Sequence, residues 1–117
     1  MGVERAAAVD GPYRAGLELL RRGEWFAAHE ELELAWRAAA PAERDFFQGL
    51  VHVAVAWYQA GRGNHVGCGR QLEKAARRLV PYAPAHRGLE LLPLLRTVEE
   101  AQRRVAAGSL ALAPPEL

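Results

Sequence analysis

Isoleucine is absent from this chain, and cysteine, lysine, asparagine, serine, threonine and methionine occur once each, as Cys68, Lys74, Asn64, Ser109, Thr97 and Met1. A lone cysteine closes no internal disulfide and builds no thiolate metal cluster. No apolar run reaches the roughly 20 residues that span a bilayer, and the N-terminus lacks the charged-then-apolar pattern of a secretory signal. Charge of one sign is not in excess either: 15 Lys and Arg stand against 14 Asp and Glu, for a net charge of +1. Such a balance gives no electrostatic reason to bind nucleic acid or a membrane surface. Period-two alternation is also missing, so no sheet is expected. The expectation is a cytoplasmic protein. Scarce lysine and amides beside many Arg and Glu fit a GC-rich coding bias, and also fit a thermophile.

What is present is helical pattern. The chain's 117 residues suit a single domain spanning 1–117 with one core, its ends at 1–9 and 109–117 loosely ordered. The spacing predicts an all-α bundle of about five helices built from antiparallel hairpins. The first starts at Asp10-Gly11-Pro12, with Pro12 in its first turn, and stops at Gly23. The second covers 24–39, and Pro41 opens the third, over 42–60. Gly61, Arg62 and Gly63 break the chain, Asn64 caps a fourth helix, and Pro81 and Pro84 close it. Gly67, Cys68 and Gly69 are small enough to let that helix approach the third closely. A fifth spans 91–107, with Leu91, Leu95, Val98, Ala101 and Val105 along one line, and Gly108 ends it. The third helix is central, because apolar residues cover nearly all its sides.

Polar residues interrupt this third helix at Gln48, His52 and Gln59, all projecting one way. The second helix offers His29 and Glu33, also one turn apart, with Phe26 and Trp36 on the same face. The connection around Ala40 and Pro41 is short, so the two helices should be antiparallel neighbours. Positions summing to about 81 then face each other: His29 meets His52, Glu33 meets Gln48, and Arg37 lies near Arg44 or Asp45.

Three chemistries fit that quartet. Two imidazoles and the carboxylate of His29, Glu33 and His52 could ligate a divalent metal with open positions. His29, Glu33, Gln48 and His52 could serve as an acid/base pocket for a small ligand, including hydrolase-like chemistry. Or His29, Glu33 and Gln48 could satisfy one another as a structural network that fixes helix register. The HEELE string lacks the second histidine of the zinc-protease HExxH motif. Around the quartet, Trp36 could floor a pocket, Glu30 neighbours the site on a solvated face, and Arg44 is placed to neutralise a carboxylate. Gln59 and Asn64 complete the candidate ligand contacts. Trp25, Trp57 and Tyr58 read as core, Cys68 as packing, and His65 and His86 as exposed. Arg70, Lys74, Arg77 and Arg78 make a basic stripe, interrupted by Glu73 as a solvated face would be. The partner is a small molecule or a protein, and self-association is open.

The string Gly23-Glu24-Trp25-Phe26-Ala27-Ala28-His29-Glu30, followed by Leu32-Glu33 and Trp36, resembles the opening motif of the DUF309 family, small helical proteins of bacteria and archaea. A second motif, Arg44-Asp45-Phe46-Phe47-Gln48-Gly49-Leu50-Val51 with Ala54 and Tyr58, continues the resemblance. Gly63-Asn64, Gly67 and Leu72 extend it, so that it covers about 13–98. It implies a helical bundle, points to His29, Glu30, Glu33, Trp36, Gln48, Gly49 and Asn64, and implies no activity. The family pattern tends to place glutamine where this chain has His52 and histidine where it has Gln59. Leu20, Gly23, Trp25, Ala28, Leu32, Ala35 and Pro41 also resemble one tetratricopeptide-type helix pair. Without a second copy this implies shared packing, or an interaction module, and no solenoid.

Overall fold

The computed structural model describes residues 2–117. Five helices form an all-α bundle: α1 (Gly2–Arg21), α2 (Trp25–Ala38), α3 (Arg44–Gly61), α4 (His65–Leu79) and α5 (Leu91–Ala106). Single tight turns at Pro41–Glu43 and Val80–Tyr82 lead into α3 and out of α4. Each helix packs on the next, and α3 lies between α2 and α4. The central position of α3 follows from its composition. Phe46, Phe47, Leu50, Val53, Ala54 and Trp57 form one broad face, Gly49 and Ala56 widen it, and all are buried.

Two glycines set the ends that position the site. Gly23 (φ 75°) and Gly63 (φ 74°) adopt the left-handed conformation that side chains resist. Each closes its helix in the same way. Glu24 N donates to Leu19 O and Asn64 N donates to Gln59 O, satisfying carbonyls that a helix end leaves bare.

Several expectations need correction. Helix α1 starts at Gly2, well before Asp10, and carries Pro12 within it. Alanine-rich residues ahead of the proline favour helix. Gly11 lacks the Cβ that a following proline ring would strike. The close approach to α4 comes from α3: a Cβ on Gly49 would lie 2.6 Å from Leu79 Cγ. Gly67 faces its own cap, Asn64, and Gly69 faces Val105 of α5. On α5 the buried line includes Leu94, while Leu95 and Val105 are half-buried.

A short ladder also exists where no sheet was expected. Strands β1 (Ala85–His86) and β2 (Leu89–Glu90) pair antiparallel. The turn residues Arg87 (φ 50°) and Gly88 (φ 75°) both have positive φ, as a type I′ hairpin turn requires. Arg87 is not glycine, and a clasp holds it there. Its Nε and Nη2 donate to the two oxygens of Glu43 at 2.6 and 2.9 Å, and Nη1 donates to Asp10 at 2.7 Å. Its guanidinium lies 5.3 Å from the Phe47 ring and 5.9 Å from the Tyr13 ring. His86, expected in the open, is half-buried against Phe46 and bonds to Glu43 at 2.7 Å.

Residues 109–117 form no helix but fold back on the bundle. Trp57 Nε1 donates to Ala113 O at 3.1 Å, Glu116 N donates to Thr97 Oγ1 at 3.3 Å, and Pro115 is buried.

Candidate functional site

Between α2, α3 and α4 lies an open recess of about 300 Å³. All four expected residues line it: His29 and Glu33 from α2, Gln48 and His52 from α3. Their one-turn spacing puts each pair on one helix face, and the short Ala40–Pro41 connection brings the two faces together. Trp36, Val51 and Val55 supply apolar wall, and Gln71 of α4 completes the lining.

The hydrogen bonds inside the recess differ from the expected pairing. Glu33 does not bond to Gln48. Its Oε2 lies 2.9 Å from His29 Nε2, and its Oε1 accepts from Arg37 Nη2 at 3.2 Å, all within α2. His52 Nδ1 bonds to Gln71 Oε1 at 2.7 Å, joining α3 to α4. Among the described residues Gln48 makes no side-chain hydrogen bond, so the quartet is not a closed mutual network. The ring nitrogens His29 Nδ1 and His52 Nε2 are enclosed without a partner.

Electrostatics follow from that placement. Burial, first, holds the His52 imidazole below its ordinary range. The Gln71 bond opposes this, and the nearby charges of Arg78, Lys74 and Arg77 add to it. His52 is therefore neutral at pH 7. Because Gln71 presents an oxygen, Nδ1 carries the ring hydrogen and Nε2 keeps a free lone pair.

Among the described residues no group of three His, Cys, Asp or Glu side chains could hold a metal ion. The expected trio of His29, Glu33 and His52 does not converge, because His29 and Glu33 are turned to each other and His52 to Gln71.

The outer candidates are scattered. Glu30 is exposed and does not line the recess. Among the described residues Arg44 pairs with no carboxylate; it lies 6.0 Å over the Trp36 ring. Arg37 turns to Glu33, while Asp45 accepts from Arg78 at 2.6 Å. Asn64 caps α4 by accepting from Gly67 N at 2.8 Å, and its Nδ2 donates to Gln59 Oε1 at 3.1 Å. Gln59 lines a second cleft, of about 160 Å³, with Trp25, Phe26 and Tyr58. Phe26, Tyr58 and Gln71 were not weighed as site residues. Gln71 carried a signal: it interrupts the buried face of α4, between Cys68 and Leu72.

Among the described residues no helix is long and apolar enough to cross a membrane. A family model described as "Domain of unknown function (DUF309)" matches residues 13–70, a shorter span than the 13–98 expected from the motifs. That span carries every recess residue except Gln71. Comparison with the curated proteins and comparison with the solved structures each returned no match.

Proposed function

We propose, from the premise that the chain belongs to the DUF309 family, that the recess between α2 and α3 binds a small molecule. The observation that carries the reading is unspent hydrogen-bonding capacity beside an open space. Among the described residues Gln48 has no side-chain partner, and His29 Nδ1 and His52 Nε2 have none. An enclosed polar atom left unpaired costs about 1–3 kcal/mol, and a ligand or bound water reached by a small side-chain movement would recover part of it. A neutral imidazole with its hydrogen already committed offers an acceptor, so the matching ligand group is a donor.

Once a side-chain movement opens it to the recess, the same lone pair would suit His52 as a general base toward water held there, which is the hydrolytic chemistry compatible with this lining. Binding is the primary reading, because a base alone does not define a reaction.

One observation favours a second reading, a non-enzymatic scaffold. The His52–Gln71 bond ties two helices together, as a structural network does. Titration separates the two. The full chain, with nitrogen-15 labelled histidines, is titrated with ethanolamine, benzylamine and acetate at millimolar concentration. The binding reading expects the donor-bearing probes to move the His29 or His52 ring signals, and His52→Gln to weaken the response. Unmoved ring signals with all three probes would refute it and leave the scaffold.

A further inference from the structure

The recess and the smaller cleft share two lining side chains. His29 and Val55 border both, so the two spaces adjoin across that pair. Their linings differ in kind. The recess contains Glu33, Gln48, His52 and Gln71. The cleft is walled by rings, with Phe26 centred 5.4 Å from His29 and 5.5 Å from Tyr58. Phe26 is 53 % exposed, which leaves apolar ring surface in water at the mouth of an apolar space.

Size and charge decide what fits each part. A cavity of about 150 Å³ holds one benzene molecule, and the cleft measures about 160 Å³. It therefore takes one six-membered ring or a branched alkyl group. A cation is disfavoured there, because the Arg62 guanidinium already lies 5.5 Å over the Tyr58 ring. In the recess, Glu33 is the one carboxylate. It accepts from Arg37 through Oε1 and meets His29 Nε2 through Oε2, and each carboxylate oxygen can take a further donor. The α4 side, where His52 bonds to Gln71, feels the positive charges of Arg78, Lys74 and Arg77. A cationic group thus belongs at the Glu33–His29 end, next to the shared wall.

We infer that recess and cleft form one site for a small amphipathic amine, with its ring or branched alkyl end between Trp25, Phe26 and Tyr58 and its ammonium beside Glu33. This rests on the binding reading above and adds the ligand class. The test uses the labelled full chain with benzylamine and toluene, read at the Phe26 and Tyr58 ring protons and at the histidine nitrogens. Benzylamine should move the ring protons and the His29 and His52 nitrogens, and toluene the ring protons and His29 without His52. Phe26→Ala should weaken benzylamine about fivefold or more, since the partly exposed ring is a main apolar contact. Glu33→Gln should weaken benzylamine and leave toluene unchanged. Phe26 and Glu33 are both accessible, and circular dichroism confirms that the variants fold. If benzylamine moves the histidines but Phe26→Ala and Glu33→Gln leave its affinity unchanged, the joined site is overturned and the recess reading survives. If benzylamine moves only ring protons, or nothing, the joined site is overturned, and both readings fall if ethanolamine and acetate also leave the histidines unmoved.

Discussion

Replacing Arg87 by alanine should lower the stability of the whole bundle, although the residue sits in a surface turn. Its side chain is 25 % exposed, as is that of Glu43, whereas Asp10 is 39 % exposed. A hydrogen bond to a charged group contributes about 1.5–3 kcal/mol when well shielded. An exposed ion pair contributes about 0.2–1 kcal/mol. Glu43 is intermediate, so its bidentate pair is taken at about 1.5 kcal/mol, and Asp10 adds little. The two aromatic faces add about 0.5 kcal/mol. The loss is then about 2 kcal/mol for Arg87→Ala, because alanine keeps the unfavourable positive φ. Arg87→Gly relieves that strain and should lose about 1 kcal/mol less. With an unfolding entropy of about 2.1 cal/mol/K per residue, a chain of 117 residues shifts by about 4 °C per kcal/mol. Alanine should therefore lower Tm by about 8 °C and glycine by about 4 °C. The clasp also has a pH signature. Its bond to Arg87 holds the Glu43 carboxyl below the ordinary value near 4.5. As pH falls, the unfolded chain takes up that proton first, so this contribution is full above pH 4.5 and is lost through the lower folded value. Thermal melts by circular dichroism at pH 7 and pH 4 read both effects. An alanine variant within about 2 °C of the parent, or one with the parent's full acid sensitivity, would refute the reasoning.

His52 should titrate below 6.5, because burial disfavours its charged form, and Gln71→Ala should push it lower by removing the bond that opposes burial. The neutral ring's contribution to stability is complete above pH 6.5 and is lost as pH falls through the folded value. A proton NMR titration of the His52 ring checks both; an unshifted value, or a rise in the Gln71 variant, would contradict the assignment. Gly49→Ala should destabilise by about 1–3 kcal/mol, the usual loss on overpacking, since its Cβ would meet Leu79 Cγ at 2.6 Å. Urea unfolding measures this, and a neutral result would mean that α3 and α4 separate without strain.

Features set by local spacing were legible in the sequence. Gly23, Gly63 and Gly108 marked helix ends because only a left-handed residue completes that cap. The one-turn pairs His29/Glu33 and Gln48/His52 brought four side chains to one recess because a short hairpin leaves little freedom of register. What a hairpin argument cannot supply is the third element. Gln71 holds the ring of His52, which the hairpin register sets opposite His29. The Arg87 clasp was hidden for the same reason. Asp10 and Glu43 stand 77 and 44 positions from Arg87, and no periodicity links such distances. The two-residue strands are too short to show alternation.

The clasp also bears on where this protein could be cut. The family match ends at residue 70, before Arg87 and before Leu72, Ala75 and Leu79, which α4 buries. A recombinant fragment trimmed to 13–70 would strand Glu43 without its counter-ion and leave the oily flank of α3 wet. The cooperative unit is thus wider than the stretch by which relatives are recognised, and an excised fragment should precipitate or melt gradually where the full chain unfolds sharply.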